Sequence, residues 1–158
     1  MISMLNSFWR GALRPLIKRP PALQVAALCH REGDAGTEVL LVSSSSGRWI
    51  LPKGWPIDGL TASEAAQQEA WEEGGVKKTS VGSAGVQSFL GKKRFDNGSV
   101  VPCEVKVFPL KVKKISDDYP EAKRRDRIWA SPARAAELVE DPGLKQVIES
   151  FAPQGIFS

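Results

Sequence analysis

Residues 54–76 read GWPIDGLTASEAAQQEAWEEGGV. Thr61, followed three residues later by Glu64, has the pattern of a capping box, so a helix is expected to begin just after it. The interior is rich in alanine, the strongest helix former. Gly74-Gly75 is expected to stop the helix, because glycine readily takes the left-handed conformation that closes helices. On this helix Glu69, Glu72 and Glu73 stand at i, i+3 and i+4, which keeps three carboxylates within about 100° of one face. Like charges at these spacings cost about 0.2–0.5 kcal/mol a pair, and the C-terminal half of a helix disfavours anions. A cation held there would offset both costs, and hard oxygen donors suit magnesium or calcium rather than zinc. The competing reading is a solvated acidic face, with Lys77 pairing to Glu73. Spacing alone favours that face, although the glycine pair ends the helix before Lys77.

Outward from the helix, strands are expected on both sides. Leu23–Cys29 and Val39–Val42 read as two strands joined through a polar, glycine-containing turn. Trp49-Ile50-Leu51 reads as a short strand broken by Pro52-Lys53-Gly54. Two longer β-type segments, about Ser80–Leu90 and Val100–Val112, flank a basic hairpin tip, Gly91 to Gly98. A charged loop over 115–127 precedes a short strand at Ile128-Trp129. Ser131-Pro132 opens a second helix, serine as cap and proline in the first turn. Asp141-Pro142-Gly143 separates it from a last helix, Leu144 to Phe151. Strands, helix, strands and helices in that order predict an α+β fold, a mixed sheet with helices packed on it.

The chain of 158 residues fits one domain. Residues 1–20 form a basic extension ending at Pro20, with Arg10, Arg14, Lys18 and Arg19 and no acid, ahead of a domain over 21–158. A cationic segment packed on its own domain is the expectation there, ahead of a membrane-surface or partner helix. No run of about 18 apolar residues predicts a transmembrane helix. A net charge of +4 suits an anionic partner without naming one. Cys29 and Cys103 lie in apolar runs and are expected to be free, which points to a reducing, cytoplasmic setting. With His30 as the only histidine there is no zinc-ligand cluster.

Gly54 before the helix and Gly75-Val76 after it complete a pattern that resembles the Nudix box. That pattern is Gly, five residues, Glu, seven residues, then Arg-Glu-apolar-any-Glu-Glu-any-Gly-apolar. Anchored on Gly54, the chain supplies Gly54, Leu60, Gln68, Glu69, Ala70, Glu72, Glu73, Gly75 and Val76, a match at seven of nine positions. Leu60 replaces the first Glu and Gln68 the Arg. Losing both leaves neither charge unpartnered, and Leu60 is expected to pack against the sheet. The stretches Leu40–Ser44, Arg48–Gly54 and Asp126–Trp129 are similar to the diphosphoinositol-polyphosphate and diadenosine-polyphosphate hydrolase branch. Gln24 departs from it, standing where the inositol-pyrophosphate enzymes have a basic residue.

The resemblance implies an α/β/α sandwich, the Nudix fold, with its mixed sheet between helices. It also implies hydrolysis of a diphosphate linkage in a small phosphorylated substrate. By the same resemblance Glu69, Glu72, Glu73 and the carbonyl of Gly54 hold Mg2+, with Mn2+ as the alternative ion, and Glu69 takes the proton. Glu121 is a second candidate base. Arg48, Lys53, Lys92, Lys93, Arg94 and Arg125 are expected to bind phosphate, for which arginine's planar fork is well suited. Trp71 is expected in the core, and Trp55 is a candidate for stacking on a base. The alternative is a Nudix-fold sensor or binding module that has lost turnover, supported by Leu60 and Gln68. Nucleic acid is not the expected partner, because that reading leaves the Glu cluster unexplained, and a homodimer stays open.

Overall fold

The computed structural model describes residues 22–81 and 85–151; the basic extension of residues 1–20 lies outside them. Eight strands form one mixed sheet: β1 Ala22–Gly33, β2 Gly36–Ser43, β3 Trp49–Ile50, β4 Lys53–Gly54, β5 Val76–Val81, β6 Gln87–Arg94, β7 Val100–Ile115 and β8 Arg127–Ala130. The helices are α1 Ala62–Gly74, α2 Pro132–Leu138 and α3 Pro142–Glu149. The main path runs β3-β2-β1-β7-β5, with β4 on β1, β6 on β7 and β8 on β2. Among the described strands β1 and β7 pair in parallel, from Ala22 opposite Cys103 to His30 opposite Lys111, and the other strand pairs are antiparallel.

β1 explains the layering. Gln24 to His30 are all buried, as expected of a strand covered on both faces. Val25, Ala27 and Cys29 join Leu40, Val42 and the α1 residues Ala65, Ala66 and Ala70 in one cluster. Ala26 and Leu28 join Cys103, Val105 and Val107, with Leu144, Val147 and Ile148 of α3, in the other. The sandwich expected from the sequence is therefore present, with α1 on one face and α2 and α3 on the other. Small alanines on the inner side of α1 let it lie close to the sheet.

Three element boundaries differ from the sequence reading. The segment over 80–90 is not one strand: β5 begins at Val76, directly after the helix-closing Gly75, and β6 begins at Gln87. Lys92, Lys93 and Arg94 belong to β6, paired with Pro102, Val101 and Val100, so the turn narrows to the residues around Asn97-Gly98. Asp141 does not merely separate two helices: its Oδ1 caps α3 by accepting from Gly143 and Leu144 N–H at 2.8 and 3.1 Å. Two side chains also differ. Leu60 stands 42% exposed rather than packed on the sheet. Trp71 is half-buried and joins neither core cluster, because it lies on the outer side of α1 in a groove with Leu60 and Gln68.

Cys29 and Cys103 are both buried and free, on opposite faces of the sheet. Burial pushes the Cys29 thiol up to about 12. Since the thiolate is the nucleophile, neither cysteine of the native protein is expected to react with an aromatic disulfide reagent at pH 8. Both should react after denaturation, and rapid native labelling would show that this packing is wrong.

Candidate active site

β4 fixes one side of the site. Gly54 pairs with Val25 and Lys53 with Ala26, and Ala27 N–H donates to Pro52 O at 2.9 Å, so the entrance to the box loop is held against the central strand. At the other end of that loop the capping box forms as the sequence predicts: Glu64 N–H donates to Thr61 Oγ1 at 3.1 Å, and Thr61 N–H to Glu64 Oε1 at 2.9 Å. α1 is thus set at a fixed angle, with Glu69 and Glu73 one turn apart facing β4.

Gly54 and Glu69 touch closely. A Cβ built on Gly54 would lie 2.5 Å from the Glu69 carboxyl carbon, so any larger residue there would push that carboxylate aside from the strand. Glu69 and Glu73 stand close enough to influence each other's ionisation, and Glu73 Oε1 accepts from Lys53 N–H at 3.3 Å. Burial pushes the Glu73 carboxyl up to about 8; Arg125 opposes the shift and Glu69 adds to it. Glu69 is raised as well, first by its own burial. Two carboxyls in contact, each unfavourable as an anion, form a site short of positive charge.

Glu72 is not brought to the same place. Its Oε2 accepts from Gln68 Nε2 at 2.6 Å on the exposed side of α1. Among the described residues no group of three acidic, histidine or cysteine side chains converges as a ready-made metal cage. Glu69, Glu73 and the Gly54 backbone do fit a divalent cation: they are hard oxygen donors side by side, and the carboxyls carry a charge deficit that a cation would relieve.

These carboxyls line a cleft of about 750 Å³. Arg48, Lys53, Lys92, Lys93 and Arg94 line the same cleft, as do Asp96 and Glu140, and among the described residues none of these five cations makes an ion pair with an acid. Burial pushes the Lys53 ammonium down, and Lys93 and Arg48 push it further while Asp141 opposes them, so these cations crowd one another. Trp55 and Phe95, 41% and 40% exposed, stand at the rim. Gln24 lines the cleft, only 3% exposed, with Oε1 lacking a hydrogen-bond partner.

Arg125 also lines the cleft, yet its guanidinium is already engaged by protein groups. Glu121, the second candidate base, is engaged too, with Arg124 and Arg125 on its Oε1. Arg127 is tied to the same helix end: it donates through Nη1 to Gly74 O at 2.8 Å and Ser116 O at 2.7 Å and lies over the Tyr119 ring. The signal for it was indirect: α1 has no basic residue in its last turn, so its terminal carbonyls need a donor from elsewhere.

Residues 20–151 match the NUDIX domain family. The chain belongs to the Nudix family. Among curated relatives, "Nudix hydrolase 12, mitochondrial" of Arabidopsis thaliana is 36% identical over 117 residues, 72% of this chain and 58% of the relative. "Nudix hydrolase 16, mitochondrial" of the same plant is 35% identical over 117 residues, 72% of this chain and 65% of the relative. This Nudix chain therefore spans about three fifths of those relatives' length. Among solved structures, the Caenorhabditis elegans Ap4A hydrolase aligns with a TM-score of 0.63 at 17% identity, covering 82% of this chain and 95% of that one. The Escherichia coli dihydroneopterin triphosphate pyrophosphohydrolase aligns at 0.59 and 18%, covering 85% and 97%. Both structural likenesses show the Nudix fold alone. No helix among the described residues is long and apolar enough to cross a membrane.

Proposed function

We propose that this Nudix chain hydrolyses a diphosphate linkage in a nucleoside- or inositol-polyphosphate type substrate, using Mg2+ or Mn2+. The observation that carries this reading is one cleft lined both by two adjacent carboxyls and by five cations with no ion-pair partner among the described residues. A polyphosphate chain has the charge to bridge the two. Glu69, Glu73 and the Gly54 carbonyl would hold the ion, with Glu72 as the further ligand that the resemblance implies. When bound, the ion supplies charge neutralisation at the phosphate oxygens and a lowered pKa for water.

The chain's own residues do the rest. Arg48, Lys53, Lys92, Lys93 and Arg94 bind and orient the phosphates. Water adds across the linkage: its oxygen bonds to one phosphorus, the bridging oxygen leaves with the other phosphoryl group, and a water proton passes to a Glu69 carboxylate oxygen. Trp55 at the rim offers a flat face to a nucleobase, whereas the neutral Gln24 adds no charge for a crowded inositol polyphosphate.

A second reading is a binding module for a phosphorylated ligand. It is favoured by Glu72 lying outside the cleft and by the missing three-carboxylate convergence. Phosphate release from diadenosine polyphosphates, inositol pyrophosphates, nucleoside triphosphates and nucleotide sugars, with and without Mg2+, separates the two. Magnesium-dependent cleavage of one class supports the enzyme; binding of the same compounds without cleavage supports the module. Gly54→Ala is expected to lower turnover at least about tenfold by displacing Glu69, about 1.4 kcal/mol in barrier, and an unchanged rate would remove Gly54 from the site.

The cytoplasmic assignment rests on the two buried thiols, while the plant relatives are named for mitochondria, so fractionation of the native protein decides it. A homodimer remains part of this reading, supported by exposed Val86 and Leu90 beside and on the edge strand β6; sedimentation measures it.

A further inference from the structure

The last turn of α1 holds Glu72 and Glu73 and no basic residue, so nothing on the helix offsets the negative end of its dipole. Gln68, at the position where the box has arginine, is neutral and directed to Glu72. Cations arrive instead from the segment that leads into β8. Arg125 sends each of its three guanidinium nitrogens to a different group: Nε to Glu121 Oε1 at 2.5 Å, Nη1 to Ser43 O at 2.7 Å and Nη2 to Glu73 Oε2 at 3.6 Å. Its side chain is 20% exposed and that of Glu73 is 7%, so the contact is largely shielded from water. The backbone of the same segment is fastened to the helix end. Glu121 N–H donates to Glu72 O at 3.0 Å, and Ser116 N–H to Gly75 O at 2.8 Å.

We infer that Arg125 is a positioning residue rather than a phosphate contact: its fork ties the Glu73 carboxylate to β2 at Ser43 and to Glu121. Two hydrogen-bond acceptors, Glu121 Oε1 and Ser43 O, and an ion-pair partner, Glu73, in three different parts of the chain suit a planar, multi-donor cation. A lysine ammonium reaching the same space would satisfy one of them well. The inference rests on the proposed hydrolysis for its kinetic arm and on the protein alone for its second arm.

Arg125→Gln and Arg125→Lys in the full chain test it. With the best substrate of the panel, Arg125→Gln is expected to lower kcat about 10–100-fold while KM stays within about threefold, the pattern of a lost transition-state arrangement. Arg125→Lys should recover little of that loss. A KM raised tenfold with kcat unchanged would make Arg125 a substrate contact and overturn the inference. Full kcat in Arg125→Lys would overturn the fork and leave only a point charge. The second arm is hydrogen exchange of metal-free protein, where the Glu121 amide should exchange at least about tenfold faster in both variants as the clamp loosens. Unchanged exchange there would sink the inference even if no substrate is turned over, so its failure is distinct from failure of the enzyme reading. Should Arg125→Gln not fold, Glu121→Gln removes the charge on the Nε acceptor and should reduce kcat in the same direction by about 3–10-fold; no change in kcat would count against the clamp.

Discussion

Glu73→Gln is expected to lower kcat/KM at least about 100-fold, about 2.7 kcal/mol of barrier, without destabilising the metal-free protein. The two halves of that expectation have one cause. Glu73 is 5% exposed, in contact with Glu69, and its carboxyl is pushed up to about 8. A carboxyl with a raised folded-state pKa contributes stability that is fully present below its unfolded value, 4.5, and lost as the pH rises through about 8. Metal-free wild type should therefore denature more easily at pH 8.5 than at pH 6, and Glu73→Gln should flatten that dependence, because glutamine has no charge to bury. Activity moves the other way, since the neutral amide gives up the charge that would draw in a cation. Chemical denaturation at the two pH values and kinetics with saturating Mg2+ measure both halves. Glu69→Gln should behave alike, and Glu72→Gln should match its loss of rate if the ion recruits that side chain from Gln68. Full rate in Glu73→Gln would remove the metal-site assignment.

The second large effect is on stability. Gly75→Ala is expected to cost at least about 2 kcal/mol and to lower Tm by about 4–8 °C for a chain of this size. Gly75 closes α1 at φ +72, where a residue with a Cβ pays about 1–2 kcal/mol. The new methyl would also overlap Ser116 O, the Arg127 guanidinium and the Tyr119 ring. A backbone carbonyl cannot swing aside as a flexible side chain can. Gly98→Ala is the control. Its φ is +87, but nothing lies within 4 Å of the added atom, so only the conformational cost of about 1–2 kcal/mol remains. Equal Tm losses in the two variants would show that the clamp around Gly75 adds nothing.

Much of this molecule was legible from local sequence. The capping box at Thr61 and the glycine stop gave α1 to within a residue, because both signals are satisfied by backbone bonds inside one turn. The continuous apolar run in β1 marked the central strand, and Ser131-Pro132 marked the start of α2. The split between β5 and β6 was not legible. Lysines and glycines mix with apolar residues across that stretch without a clean alternation, and β7 is long enough to pair one strand with each half of its edge.

The sequence by itself determined that Glu69, Glu72 and Glu73 share one helix, and that Gly54 and Gly75 bracket it at the family spacing. Helical geometry turns spacing into angle, and nothing distant is needed for that. Only the tertiary structure decided which carboxylates meet. Glu69 and Glu73 turn inward against Gly54 and β4, while Glu72, about 60° further round the helix from its inner face, is left to Gln68. It also decided which of the basic residues remain free for a ligand. Arg48, Lys53 and Lys92–Arg94 line the cleft with no ion-pair partner among the described residues, whereas Arg125 and Arg127 are engaged at the helix end. A cation's partners lie here 52 or 53 residues away along the chain for Glu73 and Gly74, and at that separation only the folded sheet brings them together.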